Sequence, residues 1–190
     1  LDAMAKRIEI QNGKPVMTLE DNRFDLFTAF KMSEYTYDVL EKYGPQAIED
    51  IRCHKVTKAV EDITFINIAV TGVIANITKS FSQSALGHMM YDGVRTFFTK
   101  EAEAALHGEI VAVALFAQLY YNQLEGEMEQ LKRFMERMDM PLTLDDLGVE
   151  GNEENLRIPE EYLIDSPYVG QDEESLRRLH GAMGKMGARI

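Results

Sequence analysis

Apolar side chains recurring at three- and four-residue steps constrain this chain more than any other feature. Phe24, Phe27, Phe30, Met32, Tyr35, Val39 and Leu40 follow that spacing, and Gly44-Pro45 predicts a stop after them. Further helices are expected at roughly 45–53, 55–77, 83–98, 108–122, 124–138 and 173–186. The β-branched run Ile63–Ile77 has strand propensity, but its length and the periodic approach from Val56 favour a buried helix. Ile110–Ala117 is apolar on every side, which predicts a helix at the centre of a bundle. From Met140-Pro141 to Gly170 the sequence is acidic and broken by Pro and Gly, as expected of short helices and loops on the surface. Short connections between long helices imply antiparallel neighbours. The expectation is an all-α fold, a multi-helix bundle forming one domain over residues 1–190.

What is missing constrains function as firmly. No Gly-rich turn sits between a strand and a helix and no βαβ alternation is present, so a dinucleotide would need a binding fold outside this sequence. Twenty Lys and Arg against 32 Asp and Glu give a net charge of −12, which repels phosphate backbones and anionic lipid. Nucleic acid and membrane surfaces are therefore excluded as partners. Ile63–Ile77, interrupted by Thr64, Asn67, Thr71, Gly72 and Asn76, and Ile110–Ala117 fall short of the ~18 residues a bilayer span requires, and no cationic leader precedes an apolar core. A cytoplasmic protein is expected, in keeping with a single cysteine, Cys53, that has no internal disulfide partner. Leu1 is not an initiator Met and the chain opens directly in helix-like sequence, so a piece of a longer protein is expected.

Four histidines are the residues from which chemistry could be built. His88 lies in a helix-like stretch beside Gly87, and His107 opens the apolar central helix nineteen positions later. That interval accommodates one helix, a turn through Thr99–Ala105 and a return, so two antiparallel helices can bring both rings to one metal. Two neutral imidazoles leave a divalent ion poorly neutralised, so a third, anionic ligand is expected; Asp2 on the first helix is a candidate that spacing does not single out. A histidine at a helix start is more often a cap or a hydrogen-bonded core residue, and spacing takes the argument no further. His54 and His180 stand among charged residues on solvated helix ends and are assigned no function.

Leu1–Glu9, His54–Glu61, Gly87–Gly93, Leu106–Val111 and Met140–Leu144, in this order along nearly the whole chain, resemble segments of the glycerol dehydrogenases of the iron-containing alcohol dehydrogenase and dehydroquinate synthase-like superfamily. Leu1-Asp-Ala-Met-Ala-Lys-Arg-Ile-Glu9 is similar to the family segment with a metal-binding Asp. His54-Lys-Val-Thr-Lys-Ala-Val-Glu61 is similar to its His-x-Val-Thr-x-Ala-Leu-Glu, and Gly87-His-Met-Met-Tyr-Asp-Gly93 to its His-Ala-x-His-Asn-Gly. Leu106-His-Gly-Glu-Ile-Val111 matches the family's His-Gly-Glu-x-Val, and Met140-Pro-Leu-Thr-Leu144 parallels the Leu-Pro-Ile-Thr-Leu that follows it.

The resemblance implies the helical C-terminal domain of such an enzyme, with the N-terminal nucleotide-binding α/β domain absent from this sequence. It makes Asp2, His88 and His107 the ligands of one catalytic Zn2+, or Fe2+, with open positions for water or substrate, and names no catalytic residue beyond them. Glu109 is expected outside the ligand set, at the helix start. The implied function is oxidation of a small polyol such as glycerol, with NAD(P) bound mainly by the absent domain and homo-oligomeric association. The chain alone is expected to bind metal without turnover. Two features depart from the family: Tyr91 stands where a second His is common, and Val73–Ser84 reads as a longer loop in which Lys79, Ser80 and Ser82 could face an anion. The loop leaves a glycerol-1-phosphate dehydrogenase-like enzyme as an alternative. A dehydroquinate synthase-like enzyme is a second, although Asp2 stands where that branch has Glu. A non-catalytic helical interaction domain is a third.

Overall fold

The computed structural model describes residues 1–12, 18, 20, 23–78 and 85–187. Among the described residues the regular structure is helical and no strand occurs. The chain divides into two compact units, one of residues 3–83 and one of Leu1–Asp2 with residues 84–190.

The first of these is built on α1 (Asp2–Gln11) and α2 (Phe24–Arg52), with α3 (Lys58–Phe65) and α4 (Thr71–Thr78) packed on α2. Ile10, Ala29, Phe30 and Ile74 form its buried cluster. The stop expected at Gly44-Pro45 does not occur: α2 continues to Arg52 with Pro45 in its interior. An interior proline costs about 3 kcal/mol. The continuation keeps Gly44, Ala47 and Asp50 buried on the stripe begun by Phe30, Ser33, Tyr37 and Leu40, so packing overrides the local breaker. Asp50 ends that stripe with a use of its own, accepting from the Gln46 amide at 2.9 Å and the Thr57 hydroxyl at 2.6 Å. Thr57 in turn caps α3.

The Ile63–Ile77 run is helical, as expected, but it is buried along one stripe and not all round. Ile66, Thr71, Ile74 and Thr78 are the buried positions, while Phe65, Ile68 and Val73 are exposed. The five-residue step from Ile66 to Thr71 coincides with a π-helical turn at Ile66–Val70, which lets the stripe keep one heading through an extra residue. With that turn included, Lys58–Thr78 forms one helix of 21 residues, long and apolar enough to cross a membrane although 17% of its most apolar stretch is buried. This corrects the shorter apolar length read from the sequence. Lys58, Glu61 and Asp62 stand in its first turns, and Asn67 and Asn76 are exposed along it. Val73–Thr78 belongs to this helix and not to a loop, while Lys79, Ser80 and Ser82 lie outside the described residues.

The second unit surrounds α6 (His107–Tyr121), whose residues Ile110–Leu119 are all buried, matching the central position its composition implies. Helices α5 (Leu86–Phe97), α7 (Glu125–Arg137) and α9 (Glu173–Met183) pack on it, and α8 (Glu153–Ile164) packs on α5 and α9. Gly93 admits the Tyr162 ring so closely that a Cβ there would lie 3.2 Å from it. The acidic segment after Met140 is less superficial than expected. Leu144, Leu147, Val149 and Leu163 are core residues, and the Leu144 N–H donates to the Met186 carbonyl at 2.8 Å. Asn152 and Asp172 cap α8 and α9 through their side chains.

Candidate metal centre

Three chain segments contribute one side chain each. Asp2 is the first residue of α1, His88 the third of α5 and His107 the first of α6, and all three fall in the same compact unit. Asp2 Oδ1 lies 3.3 Å from His88 Nε2 and 3.5 Å from His107 Nε2. One donor atom from each residue lies within 4.8 Å of the other two. The imidazole centroids are 5.4 Å apart with planes inclined by 51°.

Those separations carry chemical information. A charge-assisted N–H···O bond is about 2.7–2.9 Å. Donors about 2.0–2.2 Å from a tetrahedral ion lie about 3.3–3.5 Å from one another. The two carboxylate-to-imidazole distances match the edge of a coordination tetrahedron better than a hydrogen bond. Two neutral nitrogens and one carboxylate oxygen suit zinc or ferrous iron, and three protein donors leave coordination positions open. Exposure grades across the site: 20% of the His88 side chain, 35% of Asp2 and 45% of His107 is accessible, so the open side lies toward His107.

Local structure explains how these three side chains are held. The backbone N–H of Gly87, a donor in the first turn of α5 that finds no partner within its own helix, is accepted by the buried Gln118 Oε1 at 2.8 Å. That bond ties the residue next to His88 to the core of α6. At Gly108 a Cβ would stand 3.5 Å from the Asp2 backbone nitrogen, so the first turn of α6 comes close to the start of α1. Glu109 Oε2 accepts the Leu106 N–H at 2.7 Å. Glu109 is thus occupied in capping the helix that presents His107.

No family model matches the chain. A glycerol dehydrogenase of Thermotoga maritima is 28% identical over 157 residues, covering 79% of this chain and 40% of the relative. The chain is thus similar to a glycerol dehydrogenase over most of its own length. Hydroxycarboxylate dehydrogenase A of Escherichia coli is 27% identical over 115 residues, 60% of this chain and 31% of the relative. A solved structure described as a probable glycerol dehydrogenase from Sinorhizobium meliloti superposes with a TM-score of 0.75 over 95% of this chain and 51% of its own, at 20% identity, and shows the same fold. The fold is that of the helical domain which the sequence resemblance implies. The chain spans about two fifths of the Thermotoga relative and about half of the solved chain.

The remaining sequence expectations sort cleanly. His54 is exposed in the turn after α2 with a φ of 55°, and His180 is exposed with Nδ1 3.1 Å from Glu160. Tyr91 meets His107 edge-on, with ring centroids 4.2 Å apart. Sequence reasoning marked Tyr91 as a departure without foreseeing that contact, although its position three residues after His88 puts both on one helix face. Gln118 escaped notice altogether. A lone amide inside an otherwise apolar helix was the available signal, because a buried polar side chain must find a partner.

Proposed function

We propose that Asp2, His88 and His107 hold one divalent ion, zinc or iron, and that the chain is the metal- and substrate-binding helical domain of a cytoplasmic dehydrogenase acting on a small polyol with a nicotinamide cofactor. The observation that carries this reading is the meeting of three donors from three segments, with the Asp2 oxygen at coordination spacing from both imidazole nitrogens. The relatives' names, glycerol dehydrogenase and hydroxycarboxylate dehydrogenase, support an oxidoreductase of small hydroxylated substrates. When bound, a divalent cation supplies the Lewis acidity that lowers the pKa of a substrate hydroxyl, and the nicotinamide supplies the hydride acceptor.

The chain's own residues do the remaining work. Asp2 contributes the negative charge that two imidazoles lack, and His88, the most enclosed of the three, anchors the inner side. The exposed flank of His107 leaves an approach for substrate, walled on one side by the Tyr91 ring. Within this reading the nicotinamide-binding domain is a separate part of the enzyme, and the 190-residue chain binds metal without oxidising polyols. Exposed Phe65, Ile68 and Val73 on the second face of the 58–78 helix support homo-oligomeric association of the enzyme.

Calorimetric titration with Zn2+ tests the reading. The chain is expected to bind one equivalent, with affinity falling at least tenfold in Asp2→Asn and further in His88→Ala. Equal binding by wild type and both variants, or none by any, would overturn the site.

A further inference from the structure

We propose that Arg95 is a positioning residue for the metal centre, fixing His107 both through its backbone and through Tyr91. The inference rests on the metal-site reading above and adds to it a residue outside the ligand set. Arg95 lies in the last turns of α5, two turns beyond His88. Its guanidinium makes two divergent bonds to the connection leading into α6: Nη1 donates to the Ala102 carbonyl at 2.9 Å and Nη2 to the Ala105 carbonyl at 2.6 Å. Ala105 is two residues before His107, so the second bond holds the backbone from which that imidazole springs. The first anchors the same connection at a residue with no exposed surface.

The guanidinium has a second contact. Its central carbon stands 5.7 Å from the Tyr91 ring centroid, and that ring meets His107 edge-on at 4.2 Å. Arg95 therefore bears on His107 from two directions, one setting where the α6 backbone begins and the other setting the wall against which the ring rests. His107 needs such support more than its partners. It is the most exposed of the three and opens its helix, where no preceding turn confines the side chain. Lysine could not replace this arrangement, because one ammonium on a flexible stem lacks the planar fork that reaches two carbonyls at once.

The sign of the effect separates this reading from simple electrostatics. A guanidinium close to a cation site opposes metal binding through its charge, so a purely electrostatic Arg95 would make Arg95→Ala bind Zn2+ more tightly. Positioning predicts the reverse. In the 190-residue chain, Arg95→Ala is expected to weaken Zn2+ binding by about 10- to 100-fold, the range typical when a residue supporting a metal ligand is lost. It is also expected to reduce the visible absorption per bound Co2+, which reports coordination geometry, and to shift the His107 imidazole NMR signals of the metal-free protein while those of His180 stay in place. Should the alanine variant lose helicity, Arg95→Lys carries the test. It keeps the charge, so positioning predicts weakened binding and an altered Co2+ spectrum, whereas a charge effect alone predicts neither. Wild-type Zn2+ affinity and an unchanged Co2+ spectrum in a folded Arg95 variant would overturn the inference and leave the metal site standing. A wild-type chain that binds no Zn2+ would remove both.

Discussion

Tyr91 meets His107 at a 67° interplanar angle, an edge-to-face arrangement in which ring hydrogens address the neighbouring π surface. Such pairs contribute about 0.5–1.5 kcal/mol beyond the area they bury. Here that energy biases the orientation of a half-exposed imidazole toward the carboxylate of Asp2. Tyr91→Ala is therefore expected to weaken Zn2+ binding by roughly 2- to 12-fold, the same energy expressed as an affinity ratio. Titration of the folded variant checks it, and unchanged affinity would mean that the ring only lines the pocket. At this scale the site was legible in part. His88 and His107 stood out because histidine is scarce and the interval between them fits a helix pair. Asp2 did not, since one carboxylate among 32 acidic residues carries no local mark, and only the resemblance of its segment to the dehydrogenases distinguished it. Arg95 was illegible for a related reason. Its partners are backbone carbonyls, which every residue possesses and no sequence pattern announces.

Helices rather than single residues decide how those side chains approach one another, and the junction of α5 with α6 is the decisive one. Gln118 lies deep in α6 and accepts the Gly87 N–H, so the helix carrying His88 starts where the α6 core permits. Removing that acceptor leaves a buried donor unsatisfied, at a cost of about 1–3 kcal/mol. Gln118→Leu, which keeps the side-chain volume, is expected to lower the thermal midpoint by several degrees and to weaken Zn2+ binding as the start of α5 loosens. A midpoint equal to wild type would show that another acceptor replaces the amide. Elements were the most readable level of this molecule. Periodicity located α5, α6, α7 and α9 because each has apolar positions that a helix must bury. It misjudged the end of α2, where burial of Ala47 and Asp50 outweighs a proline. It also overestimated the burial of the 58–78 helix, since β-branched residues mark apolar surface without saying how much of it another element covers.

At the scale of the whole chain, the cluster joins positions separated by more than a hundred residues, and Asp2 stands apart from the rest of its own helix. Asp2 groups with α5 and α6, whereas α1 from Ala3 onward belongs to the other compact unit. An ion held by Asp2, His88 and His107 would be bound by the folded arrangement and only weakly by the unfolded chain, in which these ligands are far apart. Mass action then adds stability: Zn2+ at one hundred times its dissociation constant contributes about 2.7 kcal/mol. For a chain of this length that corresponds to roughly 5–11 °C in the midpoint of thermal unfolding. The rise should reverse with a chelator and be absent in Asp2→Asn. It should also grow with the logarithm of free Zn2+, as linkage requires for binding to the native state. An equal rise in Asp2→Asn would place the stabilising ion elsewhere, while a fall in wild type would mean that the unfolded chain competes for the metal through its scattered histidines, Cys53 and carboxylates. Only a chelator-reversible rise that depends on Asp2 fits a centre that the folded chain itself assembles.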